Sequence, residues 1–247
     1  RSELTPEDFG GVMVTVYVPS DIDTRVRELL ATRLGQVASS GGLSGVQMRS
    51  RFVLLPRVTV LDATAAGGLE KVVTVSVEVT FEARNFKTGV PIHQWTATVA
   101  GSGRDKETAV VQAISSIKAS SPALTDFARE THDRIVAQYS QNCDEILKEA
   151  NAVAKDGRND AAFAALFAVP VAAASCHSKA MAVADRIASG NYDSKVIPQS
   201  KGSTSQRGSV SASASASVSG RIAKAKISAA AYFNGADSRV LRLDFLK

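Results

Sequence analysis

The chain has 247 residues, 45% of them hydrophobic and 21% charged, enough to bury one large core or two modest ones. No apolar run reaches the roughly 18 residues that a membrane-spanning helix needs, and the alanine-rich stretch from Ala161 to Ala174 is broken by Pro170. Two cysteines exclude a disulfide scaffold and a cysteine-cluster zinc site, while the net charge of +5 divides into +7 from Ser194 onward and −2 before it.

The chain opens on Arg1 rather than methionine, so its start says nothing about compartment. Val12 to Val18 is a β-rich run between Gly11 and Pro19 and predicts a strand. Ser20 and Asp21 offer N-caps, and Ile22, Val26, Leu29, Leu30, Leu34 and Val37 recur at helical spacing until Gly41 and Gly42. Phe52 to Leu61 reads as a second strand, with Pro56 marking an edge or a bulge. Val73, Val75, Val77, Val79 and Phe81 alternate with Thr74, Ser76, Glu78, Thr80 and Glu82, a strand with one buried and one wet face. Asn85 to Gly89 is a hairpin turn, and Ile92 to Val99 returns as the partner strand with Trp95 in the core. Gly101-Ser102-Gly103 breaks that strand before a helix from Asp105 to Ile117.

The order β-α-β-β-β-α predicts an α+β, helix-on-sheet domain over residues 1–120. Residues 121–193 read as purely helical, with segments Ala123 to Ala154, Asp160 to Ala168 and Val171 to Ser189 forming a tetratricopeptide-like hairpin unit. Residues 194–247 form a basic low-complexity arm. From Ser209 to Ser219 small apolar residues alternate with serine, which fits either a flexible linker or a flat, β-prone strand. Val240 to Leu246 alternates again, placing Leu241, Leu243 and Phe245 on one face of a terminal strand.

The strand–helix start and the Lys87-Thr88-Gly89 hairpin resemble the curli-secretion-channel (CsgG-like) and TolB N-terminal group of envelope proteins, over about residues 11–118. The long amphipathic hairpins of the secretion channel's barrel are missing, so the resemblance does not imply a pore. A longer resemblance, over about residues 50–190, rests on Arg51 to Leu61, the Gly101-Ser102-Gly103 helix start, Tyr139, Asn142-Cys143-Asp144 and Cys176-His177. Those residues are similar to uncharacterised proteins of Bacteroidetes and their crAss-like tailed phages, which implies a role in virion structure or assembly.

Chemistry is sparse. His93, His132 and His177 fall on different predicted elements, and no nucleophile, base and orienting group share a spacing. Gly101 to Lys106 lacks the Gly-Lys-Ser/Thr ending of a phosphate loop. Cys143 and Cys176, with His177, make an incomplete zinc set; their helices run parallel, which brings the two thiols within contact and joins them in an oxidising compartment. The residues therefore predict no catalytic site, cofactor or metal.

The expectation is a non-enzymatic structural protein that self-associates into a ring, collar or tube with other structural subunits, as a component of a tailed-phage virion. The alternative is an accessory or adaptor protein of the periplasm or cell envelope. A second alternative is nucleic-acid binding through the basic arm, not favoured because aromatic residues there are few. The residues assigned to an assembly arm are Val210, Ala212, Ala214, Ala216, Val218, Arg221, Lys224, Lys226, Leu241, Leu243 and Phe245.

Overall fold

The computed structural model describes residues 3–191 and 211–235. They fall into two units: 12–135, and 3–11 together with 136–191 and 211–235. These bounds differ from the sequence-based ones at residues 120 and 193: the start of the helix that begins at Pro122 groups with the sheet, and the N-terminal residues and the arm helix group with the other helices. The architecture is α+β.

In the first unit the elements are β1 (Val12–Val16), α1 (Thr24–Ser40), β2 (Leu43–Val46), β3 (Phe52–Ala66), β4 (Val72–Asn85), β5 (Pro91–Gly103), α2 (Lys106–Ser115) and the start of α3 (Pro122–Gln141). The sheet order is β2-β1-β3-β4-β5, with β1 parallel to β2 and β3 and the remaining pairs antiparallel. Asp23, rather than Ser20 or Asp21, caps α1 by accepting the Arg25 N–H at 3.0 Å. Val26, Leu30, Leu34, Val37 and Ala38 line its buried stripe.

Strand β2 is an addition to the predicted order. Its four residues, Leu-Ser-Gly-Val, are too short and too small-sided to show alternation; pairing with β1 makes them a strand. Pro56 does not interrupt β3, and the register shift lies between Val60 and Asp62. Pro56 stands just beyond the pairing of β1 with Val53 and Leu54, where β3 becomes an outer strand that tolerates a missing N–H.

Val73, Val75, Val77, Val79 and Phe81 are all buried, on the face carrying α2. Trp95 is half-buried on that face, 5.2 Å from the Phe81 ring. Gly101 does not break β5 but lies within it, and the strand runs on to end at Gly103. A Cβ on Gly101 would overlap the backbone of Ala109 and Ala113, so glycine is what lets α2 lie against the sheet. The hairpin turn follows the sequence: the Asn85 side chain accepts from the Lys87 and Thr88 N–H groups, and Gly89 takes φ +71°.

The second unit contains the end of α3, then α4 (Cys143–Lys155), α5 (Asn159–Phe167), α6 (Ala174–Ala188) and α7 (Ser211–Asn234), with a 3₁₀ turn at Pro6–Asp8. The single helix expected from 123 to 154 is two helices separated at Asn142. Phe9 packs 5.8 Å from Phe167 and 6.0 Å from Phe233. Asn234 clamps the N-terminus through paired 2.8 Å bonds with the Leu4 backbone.

The β-prone reading of the arm is corrected from Ser211 on, because that segment is helical. Alanine has the highest helix propensity, and alternation with serine supplies no apolar face to oppose it. Further along, Ala225, Ala229, Ala230 and Phe233 form a buried stripe at helical spacing against α5 and α6. Ala212, Ala214 and Ala216 lie on the helical backbone. Val210 and the proposed strand with Leu241, Leu243 and Phe245 lie outside the described residues.

Candidate functional site

In the sheet unit α1 and α2 pack against each other on one face of the sheet. The opposite face collects an unexpected charge cluster. Glu82 stands in register with Leu55 on one side and Gln94 on the other. Alternation places it on the second face correctly, but its relative exposure is only 1%. The expectation of a wet Glu82 is therefore corrected.

Two guanidinium groups account for the burial. Arg57 Nη2 donates to Glu82 Oε2 at 3.2 Å, Arg84 Nη2 reaches the same oxygen at 3.2 Å, and Arg84 Nε stands 3.1 Å from Oε1. A buried carboxylate is tolerated where opposite charge and hydrogen bonds replace its water. Arg84 also donates to the Gly89 carbonyl at 2.9 Å, tying the cluster to the hairpin turn. Next to it, Val53 and Leu55 form a small apolar cluster with Tyr17 and Phe86, and the Arg49 guanidinium sits 5.6 Å over the Phe86 ring. Sequence reasoning missed this arrangement. Its only local signal is the spacing of Glu82 and Arg84 two residues apart on one strand face.

Beyond this cluster β3 outgrows its neighbour. From Pro56 to Ala66 it pairs only with β4, so its outer edge carries no strand among the described residues. Leu61, 53% exposed, and Val72 lie on this projecting hairpin, and Leu69 is exposed at its tip. β5 forms the other margin of the sheet, again pairing only with β4 among the described residues. Unpaired N–H and C=O groups along such edges are ready to bond another strand.

The histidines do not form a centre. His93 stacks on Phe127 at 5.4 Å, and its pKa is lowered, first by burial and then by the Arg134 charge. His132 Nδ1 lies 3.0 Å from Asp133, and His177 Nδ1 lies 3.0 Å from the Val169 carbonyl. Among the described residues no group of three or more His, Cys, Asp and Glu side chains is placed to hold a metal. The Ser102 N–H that a phosphate cradle would use is already bonded to Gln112 Oε1. Among the described residues no helix is long and apolar enough to cross a membrane.

Cys143, the first residue of α4, and Cys176 near the start of α6 are joined by a disulfide with a Cα–Cα distance of 5.6 Å, and both are buried. Two of the arm residues on α7, Arg221 and Lys226, make contacts within the same unit. Arg221 donates from Nε to Asp185 at 3.0 Å, and Lys226 Nζ sits 5.9 Å over the Phe167 ring. Lys224 and Val218 are exposed.

No family model and no curated protein matches the chain. Solved structures do match over about half of it. A minor lipoprotein from Acinetobacter baumannii is 19% identical, with 51% of this chain and 94% of that one covered and a TM-score of 0.28. The PelC dodecamer from Paraburkholderia phytofirmans is 17% identical, covering 50% and 87%, with a TM-score of 0.27. A protein of Xanthomonas campestris assigned to the DUF330 family is 15% identical, covering 54% and 92%, with a TM-score of 0.32.

Proposed function

We propose that this is a non-enzymatic accessory protein of the bacterial cell envelope, folded outside the cytoplasm and acting by contact with other protein chains. The observation that carries the compartment is the buried Cys143–Cys176 bond. Structural disulfides form in oxidising compartments and are rare where thiols are kept reduced. A virion subunit of a tailed phage folds in the reducing cytosol of its host, so the bond favours the envelope alternative over the phage reading. The nucleic-acid reading also loses ground, since Arg221 is paired within its own unit and Lys226 lies over the Phe167 ring.

Contact is assigned to the sheet edges and the occupant is a second copy of the chain. Among the described residues the sheet offers, besides the outer side of the four-residue β2, two long unpaired edges, the outer side of β3 from Pro56 to Ala66 and the outer side of β5. Pairing one with the other is head-to-tail, the kind of contact that closes into a ring when the rotation permits. Thiol trapping with a maleimide–polyethylene glycol reagent, applied after native-host cells are quenched in acid and the protein is denatured, tests the compartment. Both cysteines should resist modification until a reductant is added, and free thiols would overturn the assignment. Light scattering tests the assembly: L61K with T64K should lower the native mass, and an unchanged mass would remove β3 from the contact.

A further inference from the structure

A second region of the sheet unit carries unneutralised positive charge. Arg33, Gln36 and Ser40 on one side of α1 and Lys118, Ala119 and Ser120 in the α2–α3 turn line a cleft of about 380 Å³. The Arg33 guanidinium is fixed there by two bonds, from Nη1 to Gln36 Oε1 and from Nη2 to the Ser115 carbonyl, each 3.3 Å. Its Nε is buried and has no hydrogen-bond partner. Among the described residues no carboxylate pairs with Arg33 or with Lys118.

We propose that this cleft binds a phosphate ester. The bond to Ser115 explains where the guanidinium sits, because it satisfies a carbonyl at the end of α2. It leaves the Nε donor and the Lys118 ammonium without a counter-charge. Gln36 spends its carbonyl oxygen on Arg33 and keeps its amide donors, and Ser120 adds a hydroxyl. Ser40 donates to the Val37 carbonyl at 2.7 Å. The lining is thus rich in donors, which selects a ligand that only accepts.

A planar carboxylate is the weaker fit. It binds arginine best through two parallel bonds from one fork, and the Gln36 and Ser115 bonds already take one of the two N–H groups on each Arg33 terminal nitrogen. The remaining donors come from separate residues on two segments, an arrangement that suits the divergent oxygens of a tetrahedral phosphate. The volume exceeds that of a bare phosphate and admits an organic substituent. That substituent belongs either to a soluble ester or to a lipid headgroup.

The test uses the full chain in about 150 mM salt, where long-range attraction is screened. Glycerol 3-phosphate is titrated while the backbone amides of residues 116–121 are followed by NMR. In parallel, the protein is sedimented with phosphatidylcholine vesicles that contain or lack phosphatidylglycerol. Saturable shifts that weaken at least tenfold in K118Q and in R33K identify a soluble ester. Retention on the phosphatidylglycerol vesicles alone, lost in the same variants, identifies the headgroup. R33K keeps the charge but removes Nε, so it separates directed bonding from net charge; Lys118 is exposed, so K118Q leaves the fold intact. Absence of both responses in the wild type overturns the proposal, as does binding that K118Q leaves unchanged.

Discussion

Replacing both Cys143 and Cys176 by alanine removes the one covalent cross-link between α4 and α6. The two residues are separated by 33 positions. In the chain-entropy description, opening a loop of that length releases about 12.5 cal/mol/K to the unfolded chain, or about 3.7 kcal/mol at 25 °C. Alanine is the right replacement because both positions are buried, and a serine hydroxyl there would add its own desolvation cost. Urea unfolding followed by the helical circular-dichroism signal reads the result. With a denaturant slope of about 2 kcal/mol/M the midpoint should fall by about 2 M. Reductant should lower the wild-type midpoint by a similar amount and leave the double variant unmoved. If the variant and the oxidised wild type unfold at the same urea concentration, the bond contributes nothing to stability, and its role as a fold staple is refuted.

Three further outcomes follow from the sheet unit. Val77 is fully buried between Val60 and Val99 in the ladder, so V77A should cost about 2–4 kcal/mol by large-to-small loss; a cost under half a kcal/mol in urea unfolding would place Val77 outside the core. G101A forces a methyl group into the α2 backbone and should destabilise by about 1–3 kcal/mol through overpacking, whereas A100S at the neighbouring exposed position should cost under about 0.5 kcal/mol; equal effects in thermal melts would contradict the close approach. His93 has a lowered pKa in the fold, so its contribution is complete above about pH 6.5, the ordinary value for the unfolded chain. It is lost as pH falls from there through the folded value, since the unfolded state takes up the proton first. H93Q should therefore flatten the decline in stability between pH 7.5 and 5.5, and an identical decline in variant and wild type would refute the assignment.

Local pattern alone determined much of the sheet unit. The alternation from Val73 to Phe81 places its apolar residues correctly because a strand's two-residue period is set by the backbone and needs no partner to be read. The Asn85–Gly89 turn is equally local, since one side chain and one left-handed glycine close it. The limits of local reading appear wherever the deciding contact lies far along the chain. Glu82 obeys the alternation, yet its burial depends on Arg57, which arrives from β3. Gly101 and Gly103 look like strand breakers until α2 is seen against them. β2 has no alternation of its own and exists through pairing with β1. The serine–alanine run beginning α7 carries no apolar face, so its conformation is settled by alanine's propensity and by the Ala225, Ala229 and Phe233 stripe that follows it. Sequence separation is the common physical reason: a residue's own type sets its backbone preference, while its burial and its partner are set by chain segments that only the tertiary fold brings to it.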